Sequence, residues 1–157
     1  MIKKFHKSKS TLIREDAERI IREIINDESI DENSKWGFKL DLCFLLLHEY
    51  IDTGKSELVD EIETITSNLL TDLKFYDEVI PRIGILSYRL FALLIQAKIH
   101  GDKKKLEEIQ DLLSKTEKFA GVKGNKLLLK YLEENREYYT SLTDELVEII
   151  EKYVIST

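Results

Sequence analysis

The chain has 157 residues, 24 basic against 30 acidic side chains, a formal net charge of −6, 43% apolar residues, six glycines, one proline and one cysteine. A polypeptide of this size buries roughly 68–70% of its unfolded surface and closes a core unaided, while the lone Cys43 excludes a disulfide framework or a thiolate metal cluster. Charged residues make up 34% and no uninterrupted apolar run, Leu42 to Leu47 included, exceeds six residues, which excludes a disordered tail and a membrane-spanning protein. No apolar stretch follows the basic start at Met1 to Lys7, so no signal peptide is read and the cytoplasm is the expected location.

Apolar residues recur at three- and four-residue spacing along nearly the whole chain, and no alternating strand pattern interrupts them. The expectation is a single all-α domain of about seven helices over 1–157, of which 1–9 form a basic flexible arm. The first helix, near 10–27, carries Ile13, Ala17, Ile20, Ile21 and Ile24 on one stripe, the pattern of an amphipathic surface helix. Residues 27–34 are polar and rich in side chains that bond their own backbone, so they read as a loop. A second helix from about Lys35 to Asp52 holds Trp36, Phe38, Leu40, Leu42, Cys43, Phe44, Leu45, Leu46 and Leu47. Apolar groups around most of its circumference predict burial, and Gly54 just beyond it suits a left-handed cap.

A third helix, about 55–76, shows the narrower stripe Leu58, Ile62, Ile65, Leu69 and Leu73. Pro81 fits the first turn of a fourth, where its missing donor costs nothing. That helix is again apolar on most sides, through Ile83, Ile85, Leu86, Leu90, Phe91, Leu93, Leu94, Ile95 and Ile99, and ends at Gly101. The fifth, about 102–119, is amphipathic through Leu106, Ile109, Leu112 and Leu113. A sixth runs through Leu127, Leu128, Tyr131 and Leu132; a seventh starts near Ser141 or Thr143, where Asp144 and Glu145 would meet the positive end of the helix dipole.

The order buried, amphipathic, buried, amphipathic suggests two stacked hairpins. Leu46, Tyr50, Gly54 and Val59 are matched 47 residues later by Leu93, Ala97, Gly101 and Leu106, and Gly37 by Gly84. This spacing, with the Gly101-Asp102 pair, resembles the tetratricopeptide repeat over about residues 36–119. The family's period is about 34 residues, and an alanine usually stands where this chain has Val59 and Leu106. The resemblance implies a right-handed solenoid of helical hairpins, or a compact helical bundle, that binds a protein or peptide partner without catalysis.

Charge is unevenly divided: residues 27–78 sum to −10 and residues 98–130 to +4. Lys103, Lys104, Lys105, Lys123 and Lys126, with the arm's Lys3, Lys4, Lys7 and Lys9, offer an alternative role as a nucleic-acid-associated subunit, provided they converge on one surface. A homo-oligomer pairing acidic with basic surfaces also fits. Gly121-Val122-Lys123-Gly124 joins two helices, and its backbone donors beside Lys123 and Lys126 could cradle an anion. This loop looks like that of KH-type RNA binders but lacks flanking strands; its simpler reading is a helix end followed by a loose turn.

His48-Glu49-Tyr50-Ile51-Asp52 sets His48 and Asp52 four apart on one helical face, resembling the zinc hydrolase motif with its second histidine replaced by aspartate. Losing one imidazole makes these weak metal candidates, and the plainer reading is the polar end of a buried helix. Cys43, set in an apolar run, reads as an inert core filler. Trp36, Phe75-Tyr76 and Tyr138-Tyr139 read as core or hairpin-edge aromatics. No phosphate-binding loop, dinucleotide fingerprint or nucleophile elbow is present, so no cofactor or catalytic residue is assigned. The expected function is a protein-interaction or scaffold module, with a binding groove lined by the second and fourth helices.

Overall fold

The computed structural model describes residues 9–71, 79–120, 124–134 and 140–156. They form seven helices, α1 (Lys9–Asn26), α2 (Glu32–Thr53), α3 (Ser56–Thr71), α4 (Val79–His100), α5 (Lys103–Ala120), α6 (Gly124–Glu134) and α7 (Thr140–Ser156). No strand occurs among the described residues, so the fold class is all-α. The basic arm, Phe75-Tyr76, Tyr138-Tyr139 and Lys123 lie outside the described residues, whereas Lys9 already opens α1.

Local chemistry sets the helix ends. The carboxylate of Asp27 accepts hydrogen bonds from the Ser29 amide at 2.9 Å and its hydroxyl at 2.6 Å, the self-bonding expected of this segment. The loop is shorter than its polarity suggests, because Asp31 caps α2 by accepting from the Asn33 amide at 3.3 Å. Helix α2 therefore starts at Glu32, and Lys35 lies inside it, buried, with its ammonium 2.9 Å from Glu32. Gly54 and Gly101 close α2 and α4 with φ of +70° and +59°, the left-handed conformation that only glycine enters without strain. Asp102 then caps α5, its carboxylate accepting from the Lys104 amide at 2.9 Å. Of the two expected starts of α7, the one near Ser141 is met by its first residue, Thr140, whereas Thr143 is fully buried inside the first turn and does not cap it.

Helix α4 is the axis of the structure. Every residue from Ile83 to Ala97 except Arg89 is buried, and α4 packs against α2, α3, α5, α6 and α7. The remaining helices stack in chain order, each against the next, and α7 folds back to touch α4 and α5. One apolar core joins Leu46, Ile62, Phe91, Leu113, Leu132 and Leu146 across α2 to α7. Ile83–His100 is the one described helix segment long and apolar enough to cross a membrane, and most of it is buried among the other helices.

Three expectations are corrected. Helix α2 is covered on one side only: Leu42, Cys43, Leu46 and Leu47 are buried while Phe38 and Ile51 are exposed. On α1 the core side is formed by Ile21 and Ile25, leaving Ile13 and Ile20 in solvent. On α5 the core takes Ile109 and Leu113 and leaves Leu106 exposed. The internal correspondence is therefore partial. Leu46 and Leu93 are equivalently buried and Gly54 and Gly101 equivalently left-handed, but buried Val59 corresponds to exposed Leu106.

Candidate interaction surface

Helices α5 and α7 enclose a cleft of about 530 Å³ lined by Leu106, Gln110, Ile149, Lys152 and Tyr153. Its floor is apolar because Leu106 sits in the first turn of α5, where α7 leaves it uncovered; Ile149 and Tyr153 are only partly buried. Gln110 and Lys152 supply a polar rim. An apolar floor with a few polar edges is the arrangement that takes the apolar face of an amphipathic helix. The expected groove between α2 and α4 is not where this cleft lies; α2 and α4 pack directly on each other.

A second apolar surface lies on α1. Ile13 and Ile20 are 59% and 49% exposed, two helical turns apart on one edge. The opposite side of α1 is fixed to the body by ion pairs. Arg22 forks onto Glu61 of α3, with N–O distances of 2.8 and 2.9 Å, and its Nε reaches Glu18 at 3.1 Å. These bonds, foremost the one to Glu61, raise the Arg22 pKa further and keep the guanidinium charged. Arg14 donates to the Asp52 carboxylate at the end of α2.

That last contact bears on the zinc-like pentapeptide. The Asp52 carboxylate is engaged by Arg14, and His48 lies against Phe44 with ring centroids 4.5 Å apart. Among the described residues no group of three metal-ligating side chains assembles. Burial first, and then the Arg14 guanidinium, push the His48 imidazole below its ordinary value of 6.5, against a smaller opposite pull from Asp52. The unfolded chain thus takes up this proton at higher pH than the fold does, so stability present above pH 6.5 is lost as pH falls below it. The melting temperature is expected to decline between about pH 7 and 5, and His48→Gln to flatten that decline; thermal melts across this range check it. The ionised carboxylates favoured by the fold, Glu32 and Glu63, titrate below the ordinary value of 4.5 and stay charged over this window.

The lysines of α5 and α6 are divided among different tasks. Lys105 turns to the α3 side, 3.3 Å from Glu63. Lys104 shares its surface with Glu107, Glu108 and Asp111. Lys103 and Lys126 are exposed at the starts of α5 and α6, and Gly124 opens α6. Cys43 is fully buried, and burial raises its thiol well above the ordinary value, as expected of an unreactive filler.

A polar network that the sequence does not announce links α3, α4 and α5. Gln96 is buried on α4, and its Nε2 donates to Asp60 Oδ1 at 3.0 Å and Glu63 Oε2 at 2.5 Å. Arg89 donates to the Glu63 carbonyl oxygen at 3.3 Å. Burial works against ionisation of Glu63, but Gln96, Lys105 and Arg89 outweigh it and lower its pKa. The only sequence signal is a glutamine in an otherwise apolar run, which has to find partners once buried. Its Oε1 is buried without a hydrogen-bond partner among the described residues. The network joins three helices through the buried amide of Gln96 and the Glu63 carboxylate.

Comparison with protein-family models, with curated proteins and with solved structures yields no match.

Proposed function

We propose that this chain is a non-catalytic helical-hairpin interaction module, as the tetratricopeptide resemblance implies, acting in the cytoplasm. It holds an amphipathic helix of a protein partner in the cleft between α5 and α7. The observation that carries this reading is the apolar floor of Leu106, Ile149 and Tyr153 edged by Gln110 and Lys152. Leu106 is 44% exposed, apolar surface that a docked helix would bury. Burying a leucine side chain contributes about 1.5–3 kcal/mol.

The test is affinity capture from the source organism's lysate at low and moderate salt, with the wild type and Leu106→Glu in parallel. The expected result is a protein partner retained by the wild type at moderate salt and lost by the variant, which keeps the wild-type circular dichroism. Retention of the same partners by Leu106→Glu would overturn the cleft as the site. Nucleic acid retained only at low salt, independently of Leu106, would replace this reading with a lysine-based one.

A further inference from the structure

Helices α1, α2 and α3 enclose a pocket of about 230 Å³, on the far side of the sequence from the α5–α7 cleft. At ~30 Å³ for each water-sized group it has room for about seven or eight of them, and it is smaller than the ~300–1,000 Å³ typical of sites for drug-sized ligands. Its size suits a small molecule, not a helix.

Helix order sets which lining residues share a level. Arg14 near the start of α1 meets Asp52 near the end of α2, so these two helices run antiparallel. Only Gly54 and Lys55 separate α2 from α3, which turns α3 back along α2. Late residues of α1 and α3 therefore stand beside the early part of α2. Asn26, Asn68 and Lys39 are brought to one end of the pocket, and Arg22 and Glu61, one and two turns earlier in their helices, to the other. The walls are apolar: Leu42 is buried, and Ile25 and Ile65 are half-buried against the core.

The two ends differ in the bonding capacity they retain. Arg22 is committed, with both terminal nitrogens on Glu61 at 2.8 and 2.9 Å and Nε on Glu18 at 3.1 Å. Lys39 is not. Its ion pair is with Glu32 at 3.6 Å, beyond hydrogen-bond range, and the other oxygen of that carboxylate serves Lys35 at 2.9 Å. The Lys39 side chain is only 26% exposed, and an ammonium carries three donors to be filled. Asn26 and Asn68 add side-chain amides at the same rim, where no lining residue is acidic. An ammonium and two amides in front of an aliphatic wall suit a ligand with a carboxylate head, held by charge-assisted hydrogen bonds, and a short apolar body. An inorganic anion would fill the head position and leave the wall uncovered.

We propose that this pocket binds a short aliphatic carboxylate, its head on Lys39, Asn26 and Asn68 and its body against Ile25, Leu42 and Ile65. The site is separate from the α5–α7 cleft and does not depend on it.

The test is a titration of the ¹⁵N-labelled full chain, followed by amide NMR, with 3-methylbutanoate as the probe. Its uncharged counterpart 3-methylbutanamide and inorganic phosphate serve as controls, the first lacking the charge and the second the body. The expected result is a saturable shift of the Asn26 and Asn68 side-chain amide signals and of backbone signals near Lys39 and Ile65. Affinity is expected to fall about tenfold or more for the amide, for phosphate and for the Lys39→Gln variant, the loss that follows from removing one hydrogen bond to a charged group. Absence of a saturable shift overturns the proposal, as do shifts centred elsewhere, equal affinity for either control, or unchanged affinity in Lys39→Gln. Should that variant fail to fold, Asn68→Asp, at an exposed position, replaces it. It sets a like charge beside the carboxylate, so weakened binding supports the site and unchanged binding overturns it. Leu106→Glu is expected to leave carboxylate binding unchanged, which keeps the outcome here distinct from that of the function proposed above.

Discussion

Replacing Phe91 by alanine is expected to destabilise the protein by about 3–5 kcal/mol. Phe91 is among the largest fully enclosed side chains and lies on α4, which five other helices contact. Removing the ring deletes its transfer free energy and leaves a cavity that the surrounding helices cannot all collapse into, because each is also held by its other neighbours. Since a domain's total stability is about 5–15 kcal/mol, this loss approaches the folding threshold. Urea denaturation followed by circular dichroism checks it, with a lower midpoint at an unchanged slope as the expected signature. A shift of less than about 1 kcal/mol would show that α4 is not the close-packed centre of the molecule.

The second large effect is expected at Gly84. A Cβ there would stand 3.4 Å from Leu40 Cδ1 on α2 and 3.6 Å from the Tyr131 hydroxyl on α6. Helices α2, α4 and α6 meet here around a residue without a side chain. Gly84→Ala just fits, at ordinary contact distance, and removes the helix penalty of glycine, so it is expected to raise stability by up to about 1 kcal/mol. Gly84→Leu has no room beyond that first carbon. It would push α2 or α6 away from α4 and disturb the Tyr131–Tyr88 hydrogen bond, a destabilisation of about 1–3 kcal/mol or more. The alanine and leucine variants moving in opposite directions in the same urea experiment is the result to look for. Gly37, the counterpart of Gly84 at the 47-residue shift, has nothing within 4 Å of its added Cβ, so the same substitutions there should lack the steric cost.

The existence, order and number of the helices are determined by the sequence alone. Three-and-four spacing and Gly54 and Gly101 at helix ends are signals that act over one or two turns, whereas the caps at Asp31 and Asp102 are visible only in the structure. The apolar circumference of α4 is legible in the same way, but α2 reads alike and is covered on one side only, so it is the five helices packed around α4 that complete its burial. Only the tertiary structure decided which parts of the narrower stripes are covered. Leu106 and Leu113 are seven residues apart and so share nearly one angular position on α5, yet Leu113 is fully buried and Leu106 is exposed. Periodicity specifies an angle around the helix axis, not how far a neighbouring helix extends along it. Ile13 and Ile20 escape the core for a related reason, since α1 packs chiefly on one neighbour and its apolar arc is broader than the contact. The Gln96 network and the Arg14–Asp52 and Arg22–Glu61 pairs likewise join residues more than thirty positions apart. Such partners are chosen by helix packing, because a charge or an amide carries no local preference for one distant partner over another until the backbone brings them within bonding distance.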